Sequence, residues 1–254
     1  MPWLFNWPIL HNEALNKTFD VALHIGTFAG ALAYFWRDVV RYVVAWVRSI
    51  RRRAVSSTDE RLAWFLVLGT IPGALAGAFA ENLVEKKLGE PWLIAMMLAV
   101  FGVVLYLVDR SAEQRREMKE LRRRDVAIIG VAQALALQPG VSRSGVTITA
   151  GRALGLTREA AARFSFLLAL PVIGGAGLYK GAKLLTGAEH IPPGFAGPFA
   201  WGMIASAVSG FLVVWALLAY LRRRSFAPFV LYRLGAAALV LGIIAAGVRP
   251  ATVG

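Results

Sequence analysis

The feature that most constrains this chain is the alternation of long apolar segments with short clusters of basic residues. A transmembrane helix needs about 20 consecutive, mostly apolar residues. Charged residues make up only 17% of the chain and are concentrated between the apolar segments. The sequence therefore predicts an all-α polytopic membrane protein with about six membrane spans, at residues 19–36, 62–80, 91–108, 160–179, 199–221 and 227–248.

A seventh apolar segment, residues 126–137, is too short to cross a bilayer and is followed by Pro139 and Gly140. Short apolar segments interrupted by Gly and Pro are typical of re-entrant or discontinuous helices. Lys and Arg favour the cytoplasmic side of a membrane. The basic clusters all fall on that side only if residues 126–156 enter the membrane and return. This predicts a re-entrant hairpin and places both termini and the 181–198 loop outside.

The net charge of +13 does not indicate nucleic-acid binding, because the basic residues flank apolar spans instead of covering a soluble face. The chain has no cysteine, which excludes disulfides, thiolate metal sites and cysteine nucleophiles. Three pairs of glycines four residues apart lie in apolar segments, and small residues at this spacing let membrane helices approach closely. With 25 glycines, chance is the alternative explanation for Gly26/Gly30, Gly73/Gly77 and Gly151/Gly155.

The strongest chemical signal is the segment from residue 133 to residue 147 (QALALQPGVSRSGVT). Arg143 is predicted to lie at membrane depth, where an arginine costs roughly 2.5–3.5 kcal/mol and needs a partner or a wet cavity. Pro139, Gly140 and Gly145 interrupt the helix and free backbone N–H groups, which are tolerated there only where they line a cavity. A guanidinium fork, hydroxyls and free N–H groups at a helix start together suit a phosphate oxyanion.

Two arrangements of this segment stay open on these grounds. If its second helix begins at Ser144, the hydroxyls of Ser144 and Thr147 share one helix face. Alternatively, the segment is a cytoplasmic loop in which Ser144 only caps a helix.

Other ionisable residues give weaker signals. Asp20 and His24 are four residues apart, which suits either a hydrogen bond into a site or a structural polar pair near the interface. Arg233, inside the last span, is predicted to cap or pair structurally more than to bind substrate. Three arginines are predicted to belong to the cytoplasmic rim: Arg152, Arg158 and Arg163. No His/Asp/Glu cluster has the spacing of a zinc site.

The segment PGVSRSGVT at residues 139–147 resembles a motif of the undecaprenyl-diphosphate phosphatase family, also called the bacitracin-resistance family. Three further segments resemble parts of that family in the same order along the chain. These are residues 19–27 (FDVALHIGT), 164–171 (FSFLLALP) and 226–233 (FAPFVLYR).

The resemblance implies one integral-membrane domain over residues 1–254, built from two inverted repeats that each begin with a re-entrant hairpin. Residues 1–109 would be the remnant of the first repeat, and residues 110–254 the second repeat with its hairpin at about 126–156. The implied activity is hydrolysis of undecaprenyl diphosphate to undecaprenyl phosphate and inorganic phosphate, which recycles the lipid carrier for cell-wall synthesis. The implied location is the bacterial inner membrane, with the site open to the periplasmic side.

By the same resemblance, the hairpin tip carries the site. The implied catalytic residues are Ser142, Arg143, Ser144 and Thr147. The implied substrate-binding residues are Gly140, Arg143, Gly145 and Gln133, with support from Asp20 and His24. The family also implies a divalent cation, Mg or Ca. A homodimer is a further expectation.

The chain departs from the family at its beginning. The family's first hairpin carries a glutamate-rich motif, a Pro-Val-Ser-Ser stretch and a histidine, and none of these occurs here. Residues 1–8 (MPWLFNWP) resemble the segment just after that hairpin. Met1 is then an internal or miscalled start, or the chain is an inactive truncated paralogue. The first explanation is favoured, because the loop around Arg143 would otherwise be open to lipid.

Hydrolysis is the leading functional hypothesis, by serine attack or by activated water on the outer phosphorus, with Arg143 stabilising the phosphoryl oxygens. A transporter of a polyprenyl phosphate or another anionic solute is the alternative, because inverted repeats with broken helices are also transporter architecture. A non-catalytic membrane scaffold would predict that replacement of Arg143 by alanine has no effect.

Overall fold

The structure is a computed structural model that describes residues 13–185 and 196–251. Residues 1–8 and most of the predicted 181–198 loop lie outside these residues. The described chain is helical, which confirms the predicted all-α class. Its helices are α1 (Glu13–Arg52), α2 (Thr58–Lys87), α3 (Pro91–Ser111), α4 (Arg123–Ala134), α5 (Arg143–Ala153), α6 (Arg158–Leu185), α7 (Ala196–Leu221) and α8 (Ala227–Ala245).

Four stretches of the described helices are long and apolar enough to cross a membrane: Thr58–Phe79, Pro91–Ser111, Gly197–Leu221 and Ala227–Ala245. They correspond to four of the predicted spans. The other two predicted spans, 19–36 and 160–179, are helical inside α1 and α6. Large apolar side chains such as Phe79 and Trp201 are exposed on these helices, as expected where lipid is the solvent. A polytopic membrane protein is confirmed.

The predicted helical hairpin is present, at slightly different bounds. Helix α4 has 12 residues and α5 has 11. At about 1.5 Å per residue, each is roughly half as long as the hydrocarbon core of a bilayer is thick. The two helices pack against each other and are joined by a 3₁₀ turn, Leu135–Leu137, and the loop that follows it. The hairpin therefore spans residues 123–153 instead of the predicted 126–156.

The described residues fall into two compact units. One comprises Met1–Val40 and Leu170–Leu217 within the described ranges, and the other comprises Arg41–Ala169 and Leu218–Gly254. The second unit contains the whole hairpin. The division predicted from the resemblance, into repeats at 1–109 and 110–254, follows different boundaries and stays a prediction.

In the first unit, α1 and α7 approach each other closely at Gly26 and Gly30. A Cβ atom at Gly26 would collide with the carbonyl oxygen of Met203, and one at Gly30 with that of Ala207. Beside this contact, the Thr27 Oγ1 and Ser206 Oγ atoms lie 2.6 Å apart in a hydrogen bond. The packing explanation is therefore confirmed for this glycine pair.

The other two glycine pairs differ. Gly73 leaves room for the Gln133 side chain, whereas Gly77 has only one ordinary contact, with Leu137. Gly151 packs against Ala161, and Gly155 has a φ of +82° just after the end of α5. Close packing explains one member of each pair, and a turn conformation explains Gly155.

In the second unit, α2 begins with a reciprocal cap. The buried Glu60 carboxylate accepts hydrogen bonds from the backbone N–H groups of Ser56 (2.7 Å) and Ser57 (3.1 Å). In return, the Glu60 N–H donates to Ser57 Oγ at 3.2 Å. This capping box satisfies donors that a helix start leaves unpaired. Helix α2 packs along α4, and α3 packs against both α5 and α8, so each half of the hairpin lies against a longer helix.

Candidate functional site

The hairpin tip turns at Gly140, which has a φ of +92°. That conformation is common only for glycine. A Cβ atom here would also collide with the Ile94 carbonyl oxygen of α3 and lie 3.1 Å from Met97 Cβ. Backbone conformation and close approach thus both require glycine, and they hold the loop against α3.

Ser142 caps the N-terminus of α5, and its Oγ accepts a hydrogen bond from the Gly145 N–H at 3.2 Å. The helix begins at Arg143, so the predicted start at Ser144 and the alternative of Ser144 as the cap are both wrong. The physical reason is that Ser142 takes a φ of +70°, which aims its side chain back at the first turn. For a residue other than glycine, this conformation costs about 1–3 kcal/mol and is found mostly at functional sites.

Arg143 is the first residue of α5, and its side chain is exposed beside the two serines. The hydroxyls of Ser142 and Ser144 lie 3.4 Å apart. Within residues 13–185 and 196–251, the Arg143 guanidinium makes no hydrogen bond or ion pair. The fork is thus free to bind an anion next to a helix start, where backbone N–H groups lack partners inside the helix.

Thr147 does not join this exposed group. Its side chain is buried, and its hydroxyl donates to the carbonyl oxygens of Arg143 (2.8 Å) and Ser144 (3.3 Å). The same Oγ1 lies 2.6 Å from the Oγ of Ser165, a buried residue of α6. Thr147 therefore links the first turn of α5 to α6. Ser165 is not among the residues predicted from the sequence, although it lies in the segment 164–171 that resembles the family.

Because Thr147 donates to a carbonyl, the Ser165 hydroxyl is the donor between the two side chains. We expect Thr147→Val to lower the free energy of unfolding by about 1–3 kcal/mol, because it leaves the buried Ser165 hydroxyl without its acceptor. Ser165→Ala should lower the free energy of unfolding by about 0.5–1.5 kcal/mol. The double variant should cost less than the sum by at least about 0.5 kcal/mol. Equilibrium unfolding in detergent measures all three.

Thr149→Val is the matched control, because the Thr149 hydroxyl donates only within α5, to the Gly145 carbonyl at 2.7 Å. Its cost should add to that of Ser165→Ala. Additive costs for Thr147 and Ser165 would contradict the link.

Gln133 lies on α4 inside the interface with α2, where its side chain packs against Gly73. It is buried, and neither atom of its amide group has a hydrogen-bond partner in the described part of the chain. The structure thus places Gln133 in a helix interface and Arg143 at the exposed start of α5. Substrate binding by Gln133 stays a prediction.

Arg233 secures the hairpin tip from α8. Its guanidinium donates to the backbone carbonyls of Leu98 (3.2 Å), Gly140 (2.9 Å) and Val141 (3.1 Å). These contacts confirm the predicted structural role. Gly145 is also constrained here, because a Cβ atom at that position would lie 3.1 Å from Arg233 Nη1.

The C-terminal end of α5 is held by an ion cluster around Asp109, the one acidic residue of α3. The Asp109 carboxylate accepts from Arg152 Nε at 2.9 Å and from Arg158 Nε at 2.9 and 3.0 Å. Arg152 also donates to the carbonyls of Asp109 (3.0 Å), Ala112 (3.2 Å) and Leu156. Arg152 is fully buried because the carboxylate on α3 pairs with it, a proximity that the linear sequence does not reveal. The placement of Arg152, Arg158 and Arg163 on the cytoplasmic rim stays a prediction.

The remaining predicted residues lie in the first unit. His24 is exposed on α1, and the Asp20 side chain lies outside the described part. Their supporting role stays a prediction. Among the described residues, no group of three or more His, Asp or Glu side chains could hold a metal ion.

Fold and loop together define a polytopic helical membrane protein with a candidate anion site on a hairpin of two short helices. The chain belongs to the family described as bacitracin resistance protein BacA, which matches residues 2–239. It is 44% identical over 246 residues to the undecaprenyl-diphosphatase of Desulforudis audaxviator, covering 96% of this chain and 88% of that protein. It is 45% identical over 246 residues to the undecaprenyl-diphosphatase of Pelotomaculum thermopropionicum, covering 97% and 87%. The undecaprenyl-diphosphatase of Geobacter sulfurreducens is 44% identical over 246 residues, covering 96% and 88%.

Proposed function

We propose that this protein hydrolyses undecaprenyl diphosphate to undecaprenyl phosphate and inorganic phosphate. The observation that carries the proposal is the guanidinium of Arg143, which has no partner among the described residues and lies beside Ser142 and Ser144 at the start of α5. Family membership supports it, because the relatives compared above are named undecaprenyl-diphosphatase. That name does not favour the transporter or the inactive paralogue.

In this proposal, Arg143 binds two oxygens of the diphosphate through its planar fork. The first N–H groups of α5 and the serine hydroxyls add donors to the same phosphate. Phosphoryl transfer depends mainly on positioning and on stabilising charge spread over the equatorial oxygens. The loop supplies both, because Gly140, Ser142 and Arg233 fix the backbone that presents Arg143.

The net reaction breaks the bond between the bridging oxygen and the terminal phosphorus. An oxygen from water ends on the inorganic phosphate, and the bridging oxygen leaves with the lipid monophosphate. Water attacks the phosphorus directly, or a serine hydroxyl attacks first and water hydrolyses the phosphoserine. Both routes give the same products.

The resemblance also implies a divalent cation, which in proteins takes oxygen ligands that include carboxylates. The loop 138–145 carries one positively charged side chain, Arg143, and no carboxylate. Among the described residues, no group of three or more His, Asp or Glu side chains could hold a metal ion. These residues do not fit a metal ion. The divalent cation stays a prediction from the resemblance.

The proposed setting is the bacterial inner membrane, with the site open to the periplasmic side and the basic clusters in the cytoplasm. There the reaction would return the lipid carrier to cell-wall synthesis. The family is described as bacitracin resistance protein, so resistance to bacitracin is part of the proposed role. A homodimer is part of this proposal.

The test is release of inorganic phosphate from undecaprenyl diphosphate by the purified protein in detergent. Undecaprenyl phosphate serves as the control substrate, because it lacks the anhydride bond. We expect release from the diphosphate alone, in equal amounts with the monophosphate product. Movement of intact diphosphate across vesicles without phosphate release would reject hydrolysis and favour the transporter.

A further inference from the structure

A groove remains on α1 that the site does not use. It is lined by three valines and three arginines of one helix segment and has a volume of about 370 Å³. We call it the α1 groove, and its lining residues are Val43, Val44, Val47, Arg48, Arg51 and Arg52. All six belong to the second unit, which also contains the hairpin.

The valine half of the α1 groove is open to the surroundings. Val43 is 54% exposed, Val44 49% and Val47 37%. Val43 and Val47 are one helical turn apart, so their side chains form a continuous apolar strip. A contiguous exposed strip of this kind marks a contact with an apolar partner.

The arginine half has the opposite character. Arg48, Arg51 and Arg52 are exposed, no acidic residue lines the groove, and none of the three makes a hydrogen bond or ion pair to the described residues. Glu60 acts on Arg48 and Arg52 electrostatically. However, its carboxylate is buried and accepts hydrogen bonds from two backbone N–H groups. The groove therefore keeps a net positive charge, of which Glu60 offsets only a part.

We propose that the α1 groove binds an anionic phospholipid of the leaflet that faces the basic loops. Arg37 and Arg41 precede the valines, so the α1 groove lies at the headgroup boundary, with the valines on its membrane side and the arginines on its cytoplasmic side. A lipid in that leaflet presents its acyl chains and then its phosphate in the same order. Arginines bordering an apolar span attract anionic headgroups, and a guanidinium pairs well with a phosphate. This site is separate from the Arg143 loop and does not depend on the proposed hydrolysis.

The test is native mass spectrometry of the full chain in detergent, titrated with phosphatidylglycerol or with phosphatidylcholine of the same acyl chains. The groove variant replaces Arg48, Arg51 and Arg52 by alanine. The matched control replaces three other exposed arginines whose side chains make no hydrogen bond or ion pair to the described residues: Arg123, Arg124 and Arg223. Both variants lose the same charge.

We expect the groove variant to bind phosphatidylglycerol at least about tenfold more weakly, and the control variant to lose less than about twofold. Phosphatidylcholine should bind weakly to all three proteins. Equal losses in both variants would overturn the proposal, because they would indicate a diffuse charge effect. Conversion of a dimer to a monomer by the groove variant, with unchanged lipid binding, would assign the groove to a second copy.

Two further arms use the unaltered protein, so they do not depend on how a variant folds. Short-chain phosphatidylglycerol should bind more weakly than the long-chain lipid, because it covers less of the valine strip. Inorganic phosphate at millimolar concentration should not displace the long-chain lipid. Equal binding of both chain lengths, or displacement by phosphate, would make the groove a simple anion site and overturn the lipid assignment.

Discussion

Arg143→Ala is expected to lower kcat/KM for phosphate release from undecaprenyl diphosphate by about 10²–10³-fold, or roughly 3–4 kcal/mol of transition-state stabilisation. The guanidinium has no partner among the described residues, so its removal breaks no hydrogen bond or ion pair of the described fold. Its removal should therefore leave the melting temperature within about a degree of the unaltered protein, since surface substitutions away from packed features cost under ~0.5 kcal/mol. A large loss of activity with little loss of stability is the signature of a residue that contacts the substrate.

Arg143→Lys sharpens this test because it keeps the positive charge and removes the planar fork. We expect activity between those of the unaltered protein and Arg143→Ala. Arg224→Ala is the matched control, since Arg224 is exposed just after α7, and it should keep full activity. If Arg143→Ala kept full activity, the diphosphate would bind elsewhere and the proposed site would be wrong.

Asp109→Asn is expected to lower the free energy of unfolding by about 3–5 kcal/mol, the cost of removing one partner from a buried ion pair. The substitution leaves Arg152 fully buried without its counter-charge. The Asp109 carboxylate also accepts hydrogen bonds from Arg158 and from the Phe226 N–H, and the substitution weakens both. The measurement is equilibrium unfolding in detergent.

Asp59→Asn is the matched control for this substitution. Asp59 pairs with Arg41 at 3.8 Å, and both side chains are exposed. Such a surface pair contributes about 0–1 kcal/mol. A second check is the double variant Asp109→Asn with Arg152→Met, which removes the stranded charge and should recover part of the lost stability. If Asp109→Asn unfolded like Asp59→Asn, the cluster would not hold the end of α5.

The two predictions concern opposite ends of one short helix. Arg143 begins α5 and Arg152 lies in its last turn. At that end, the ion cluster ties α5 to α3 and to the start of α8. At the other end, Arg233 holds the tip loop through the carbonyls of Gly140 and Val141. A helix of 11 residues is marginal on its own, so these anchors fix the direction in which Arg143 points.

Much of the candidate site could be predicted from the sequence, because its residues lie in one short segment of the chain. The Pro-Gly break, the positive charge and the adjacent hydroxyls are neighbours along the chain, so their proximity needs no tertiary contact. The helix start was misplaced by one residue, because the φ of +70° at Ser142 cannot be predicted for a residue other than glycine. Thr147 was grouped with the exposed residues because the sequence does not reveal Ser165 behind it.

The sequence by itself determined the membrane class, the helical hairpin and the loop that carries Arg143. Hydropathy, length and helix-breaking residues are local properties, and they decide which segments cross a bilayer and which turn back. Only the tertiary structure decided which polar side chains are structural and which are free. Asp109 and Arg152 are 43 residues apart in sequence and 2.9 Å apart in space, and Arg233 reaches the loop from 93 residues away. Burial makes an unpaired charge costly. Arg152 therefore pairs with Asp109, and Arg233 donates to backbone carbonyls. Arg143 has no partner among the described residues and is available for an anion.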